Sequence, residues 1–220
     1  MPIDPTPYIE HTLLDNTATP DRIEQLCAEA IKYKFPAVCV YPCYVRQARE
    51  LLNREKTTVT TVIGFPTGAH TKEVKLYEAQ LAIHQGAQEL DVVLNLGLIK
   101  AGRSEALYQE IAPICEDKNI PVKAILEMPL LTPSEWELAV EVCLSAGVQY
   151  LKTCTGWHGS VTLAQVQYLY QRTKGKVGIK AAGGIRSLAQ AQDLINSGAT
   201  RLGTSHGLRI LEELSESQEL

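Results

Sequence analysis

The chain has 220 residues, 25 acidic against 21 basic side chains, and 45% hydrophobic content with 15 Gly and 11 Pro. This balance suits a folded globular protein and excludes disordered, fibrous and disulfide-stapled classes. A formal charge of −4 leaves no electrostatic footprint for nucleic acid or an anionic membrane surface.

The opening MPIDPTPYIEHTLLD has neither a basic start nor an apolar centre, so no signal peptide is expected. No apolar run approaches the ~18 residues of a membrane span. Cys27, Cys39, Cys43, Cys115, Cys143 and Cys154 form no C-x-x-C pair. They read as free, mostly buried thiols in a reducing, cytoplasmic setting.

In chain order, strands are expected at residues 8–14, 37–41, 58–63, 90–94, 122–127, 150–153, 177–181 and 201–203, where short β-branched runs suit buried parallel strands. Amphipathic stretches fall between them. Thr19-Pro20 opens a helix whose Ile23, Leu26, Cys27, Ala30 and Ile31 share one face. Thr132-Pro133-Ser134-Glu135 has capping-box spacing, and Trp136, Ala139, Val140, Cys143 and Leu144 repeat the stripe. Eight strands alternating with eight helices, the last near 208–214, predict an α/β fold. Closure into one (β/α)8 TIM barrel over residues 1–220 is the economical solution, with an open doubly wound sheet as the alternative.

A weak repeat points to a site. Gly86, Gly147, Gly175 and Gly198 stand where helices should end, and five residues later come Asp91, Lys152, Lys180 and Gly203. The phase predicts equivalent heights near the C-terminal ends of strands, where such barrels do chemistry. Strand alternation turns Asp91 and Asn95 inward, with Lys180, Lys152, Lys123 and Glu127. Clustered lysines suggest Schiff-base chemistry, because burial and a neighbouring ammonium both favour the neutral, nucleophilic amine. A structural ion-pair network is the competing reading. Two glycine loops follow the last strands, Ala182-Gly183-Gly184-Ile185-Arg186 and Gly203-Thr204-Ser205-His206-Gly207, at the recurrent phosphate site of this fold.

The segments Glu10-His11-Thr12-Leu13-Leu14, Val38-Cys39-Val40-Tyr41-Pro42, Val62-Ile63-Gly64-Phe65-Pro66, Glu89-Leu90-Asp91-Val92-Val93, Tyr150-Leu151-Lys152-Thr153-Cys154-Thr155-Gly156, the Gly178–Arg186 stretch and Arg201-Leu202-Gly203-Thr204-Ser205 together resemble the deoxyribose-phosphate aldolase family. The resemblance implies a class I aldolase cleaving 2-deoxy-D-ribose 5-phosphate to D-glyceraldehyde 3-phosphate and acetaldehyde, without cofactor or metal. It implies Lys152 as the Schiff-base lysine and Asp91 with Lys180 as the proton relay. It implies a 5-phosphate held by Gly156, Gly183, Gly184, Gly203, Thr204 and Ser205. Departures from the family pattern are Glu10 in place of Asp, the region of Asp15 where Lys or Asn is usual, Cys154 and His206 in place of Ser, and an end at Leu220 without a C-terminal tyrosine segment.

Three other readings compete. His11, His70, His158 and His206 are expected in loops at the C-terminal face, but their spacing specifies no zinc site. A non-catalytic sugar-phosphate-binding barrel would need no lysine–aspartate relay. Another Schiff-base aldolase would differ in its donor. Small-molecule substrates are the expected partners; a homo-oligomer is compatible with the sequence.

Overall fold

In the computed structural model, which describes residues 3–116 and 119–218, eight parallel strands close into a barrel in sequence order. Both ends of the expected 1–220 span, Leu220 included, lie outside the described residues. The strands are β1 (Ile9–Leu13), β2 (Ala37–Val40), β3 (Thr58–Ile63), β4 (Glu89–Val93), β5 (Val122–Ile125), β6 (Tyr150–Lys152), β7 (Gly178–Ala182) and β8 (Arg201–Thr204). The helices are α1 (Pro20–Tyr33), α2 (Val45–Leu51), α3 (Lys72–His84), α4 (Leu96–Lys100), α5 (Ser104–Ile111), α6 (Pro133–Ala146), α7 (Leu163–Thr173), α8 (Leu188–Asn196) and α9 (Gly207–Gln218). The TIM-barrel expectation is met, and closure removes the open-sheet alternative.

The crossover from β4 to β5 departs from the eight-helix expectation by using two helices. Asn95 caps α4 by accepting from the Leu98 amide at 3.2 Å, and Gly102, at φ 65°, breaks the chain before α5. The capping box at Thr132 and Glu135 forms as its spacing predicts. On α1 the stripe is narrower than expected, because Ile31 is 38% exposed while Ile23, Leu26, Cys27 and Ala30 are buried. The four repeat glycines all have positive φ, a backbone state that glycine adopts without a Cβ penalty. They set the phase of successive units.

The main core lies between barrel and helices, where Leu90, Val92, Leu94, Leu151, Ile179 and Ala181 pack outward as alternation predicts. The opposite parity fills the barrel. Asp91 pairs with Lys123 and Lys123 with Tyr150, so Lys152, the next inward residue on β6, is level with Asp91 once strand tilt is allowed for. Continued around the barrel, this registry puts Cys39, Asp91, Lys152 and Gly203 in one layer. The next layer toward the N-terminal end holds Glu10, Thr60, Lys123 and Lys180, and the one below it Ala37, Glu89, Tyr150 and Arg201. The expectation of equal height is therefore met by Asp91, Lys152 and Gly203, whereas Lys180 starts one layer lower and reaches up.

Candidate active site

The two charged layers meet at Asp91. Its Oδ2 accepts from Lys152 Nζ and from Lys180 Nζ, each at 2.7 Å. Lys180 also donates to Glu10. Lys123 donates to Glu89 and stands 3.4 Å from Asp91 Oδ1 and 3.6 Å from Glu10 Oε1. Asp91, Lys123 and Lys180 are fully buried, and Lys152 is 3% exposed. Ammonium and carboxylate groups persist at that depth only when paired.

Burial by itself would raise the Asp91 carboxyl, but the ammoniums of Lys152, Lys180 and Lys123 outweigh it and hold it well below the usual carboxylate range. Glu10 is likewise lowered: burial opposes, and Lys123 and Lys180 prevail. Burial works against the charge of Lys180, yet the Asp91 and Glu10 carboxylates raise it well above an ordinary lysine. Lys123 is raised in the same way, by Glu10 and Asp91 against burial. Burial pushes the Cys39 thiol in the Asp91 layer up to about 11.

Above these layers opens a cavity of about 410 Å³. Gly156, Gly183, Gly184, Gly203, Thr204 and Ser205 line it together, with Arg186 and His206 at the rim. Gly183 and Gly184 have φ of 103° and 74°. A Cβ on Gly183 would lie 2.6 Å from Cys154 Sγ, and one on Gly184 2.3 Å from Ser160 Oγ. The turn therefore excludes side chains and brings bare backbone to the cavity. Gly203 differs, sitting within β8 between Ala182 and Glu10, where a Cβ would meet Lys180 Cε at 3.0 Å. Its missing side chain makes room for Lys180. The Thr204 hydroxyl is committed, donating to the Ile185 carbonyl at 2.7 Å and accepting from the His206 amide at 2.9 Å. Ser205 Oγ stands 3.1 Å from His206 Nδ1.

Two expected inward residues lie elsewhere. Glu127 begins a left-handed turn at φ 52° and accepts from the Thr155 hydroxyl at 2.5 Å, which pins the loop after β6. Asn95 is spent on the α4 cap. Strand alternation fails for both because each lies past the last paired residue of its strand. The second carboxylate of the cluster is instead Glu10, followed by Glu89. Glu89 shares the inward parity of Asp91, a signal already present in the sequence.

The histidines do not converge. His11 lies inside β1 rather than in a loop and pairs with Glu29 at 2.7 Å, while His70 and His158 are exposed. Among the described residues, no group of three or more His, Cys, Asp and Glu is placed to hold a metal ion.

A family model described as DeoC/LacD family aldolase matches residues 9–213. A deoxyribose-phosphate aldolase from Cyanothece sp. is 58% identical over 209 residues, covering 95% of this chain and 92% of the relative. One from Crocosphaera subtropica is 55% identical over 210 residues, covering 96% and 95%. Among solved structures, the tetrameric deoxyribose phosphate aldolase of Aeropyrum pernix superposes with a TM-score of 0.90 at 34% identity, covering 97% of this chain and 92% of that one. An interior lysine–carboxylate cluster under a glycine-lined cavity, with matches of this extent, leads to one conclusion: the chain belongs to the DeoC/LacD family of aldolases.

Proposed function

We propose that the protein is a class I aldolase that reversibly cleaves 2-deoxy-D-ribose 5-phosphate to D-glyceraldehyde 3-phosphate and acetaldehyde, with Lys152 as the Schiff-base residue. The observation that carries this reading is the sharing of Asp91 Oδ2 between Lys152 and Lys180 at 2.7 Å each. A nucleophilic amine and a two-membered proton relay are thereby in contact beneath the cavity.

In this reading the Lys152 amine adds to the substrate aldehyde and loses water to give an imine. A base takes the proton of the C3 hydroxyl as the C2–C3 bond breaks. The bonding pair moves into the iminium, leaving an enamine on Lys152 and an aldehyde at the former C3. The relay of Asp91 and Lys180 returns a proton to C2, and water hydrolyses the imine to release acetaldehyde. The 5-phosphate occupies the loop end, where Gly156, Gly183, Gly184 and Thr204 offer backbone and Ser205 a hydroxyl, with Gly203 clearing the path of Lys180. The Arg186 side chain at the rim adds charge complementarity.

Self-association and a cytoplasmic setting belong to the same proposal. The exposed Val74, Tyr77 and Leu81 of α3 support the first; free, largely buried cysteines support the second.

Borohydride reduction with deoxyribose 5-phosphate present should trap one adduct, and peptide mapping should place it on Lys152. An adduct on Lys180 or Lys123 would reassign the roles. No adduct, with turnover lost to a chelator, would overturn the Schiff-base mechanism.

A further inference from the structure

The loop end of the cavity holds one titratable side chain that the proposed chemistry leaves without a task. His206 stands immediately before α9, is half-buried, and lines the cavity with Ser205 and Arg186. Its backbone amide is tied to the Thr204 hydroxyl at 2.9 Å. Its ring Nδ1 lies 3.1 Å from Ser205 Oγ, while Nε2 has no hydrogen-bond partner among the described residues. The ring is held at one nitrogen and open at the other.

Its surroundings are positive. The Arg186 guanidinium, from the loop after β7, enters no ion pair among the described residues. Arg209 on α9 is answered by Glu213 at 3.1 Å, and α9 adds the partial positive charge of its N-terminus. Burial, reinforced by Arg186 and Arg209, holds the imidazole below its ordinary value, so it is neutral near pH 7 in the free protein. The nearby acids are spent elsewhere. Asp15, which also lines the cavity, is taken by Thr17 and Arg22 and lies below the usual carboxylate range. Glu213 is lowered by the Leu188 amide, and His11, behind Gly207 on β1, is turned to Glu29 at 2.7 Å. The cations around His206 have a cavity before them and no carboxylate in it to balance Arg186.

We propose that His206 is a proton-linked ligand of this anion site: as a phosphate dianion enters, the ring takes up a proton from solvent and holds the anion together with Ser205 and Arg186. The proposal rests on the placement of the 5-phosphate above. Donor count and charge give the reason. A neutral imidazole has one N–H and an imidazolium has two. Once charged, the ring donates from Nδ1 to Ser205 Oγ, which frees the hydroxyl proton for the anion and leaves Nε2–H as a second donor. The dianion favours the imidazolium directly and offsets the arginines and the helix end that opposed it. The proton returns to solvent when the anion leaves.

Sulfate is the probe, because it stays a dianion where phosphate monoesters titrate, at about pH 6. It is titrated calorimetrically into the whole protein at constant ionic strength from about pH 5.5 to 8, above the range in which the buried carboxyls lose their pairing. An adjacent opposite charge raises a titrating group by about one unit or more, so sulfate should bind roughly tenfold more weakly at the alkaline end than at the acid end. The sign follows from linkage: the bound state holds the extra proton, so affinity falls as pH rises. Near neutrality, binding should take up a fraction of a proton, read from the heats in two buffers of different ionisation enthalpy. His206→Gln keeps a donor without a titrating ring. It should bind sulfate with the weak, alkaline-end affinity at every pH and take up no proton. His206→Lys, charged throughout, should keep nearly the acid-end affinity across the range, again without uptake, and provides the comparison if the glutamine variant does not fold.

Sulfate binding to the wild type without proton uptake would overturn the proposal, as would uptake that persists unchanged in His206→Gln or His206→Lys. Competition against deoxyribose 5-phosphate separates the two levels. Sulfate that raises the apparent KM equally at all pH values removes only the role of His206, whereas sulfate that leaves KM untouched removes the phosphate placement itself.

Discussion

At the scale of single residues, the buried charges of the barrel interior carry the steepest energetic cost. Asp91 faces three lysines, and removing one partner of a buried ion pair typically costs about 3–5 kcal/mol. Asp91→Asn should therefore lower stability by about that amount, measured by urea unfolding, and abolish turnover. The pH sign follows from the depressed carboxyls of Asp91 and Glu10. Their stabilisation is complete above the unfolded value of about 4 and is lost as pH falls through the folded values. Acid titration of the wild type should show stability falling below about pH 4, with a smaller loss in Asp91→Asn. Lys180 has the opposite sign: it is raised, so its contribution persists below about pH 10.4 and disappears only in stronger alkali.

At the scale of elements, β4 is anchored from outside the barrel by a second buried pair. Lys75 on α3 donates to Glu110 on α5 at 2.9 Å and to the Val93 carbonyl at 2.8 Å, and Glu110 accepts from the Asn95 amide at 3.1 Å. Burial lowers the Lys75 ammonium against the pull of Glu110, so the pair depends on its geometry. Glu110→Ala should cost about 3–5 kcal/mol, while Lys75→Met with Glu110→Leu should cost less, about 1–3 kcal/mol for the Val93 carbonyl and Asn95 amide that lose their partners. A chemical-denaturation series on the three proteins checks this. The α6 capping box is a smaller term of the same kind. Thr132→Ala should remove about 1 kcal/mol without changing the activity per folded molecule.

For the whole molecule, β1 and β8 close the barrel with Glu10 opposite Gly203, and the cavity straddles that seam through Thr12, Gly183 and Ser205. An anion bound there would stabilise the closed barrel. Inorganic phosphate at a hundred times its dissociation constant should add about 2.7 kcal/mol. That corresponds to a rise in Tm of roughly 5–10 °C at this chain length. Ser205→Ala should reduce the response at fixed phosphate. A melting curve insensitive to phosphate would place the anion elsewhere.

The sequence by itself determined the eight strands, their order and their inward parity, because side-chain alternation and glycine-terminated helices are local properties. It also brought Asp91, Lys152 and Lys180 to one end of the barrel, and the family motifs singled out Lys152. It overreached at Asn95 and Glu127, where alternation was carried past the end of the paired strand into a cap and a left-handed turn. What only the tertiary structure decided was the stacking of the interior. The tilt of the strands sets Lys180 a layer below Lys152 and brings Glu10 and Glu89 into the lysine cluster. Those relations depend on register around a closed sheet, a quantity that no single strand encodes.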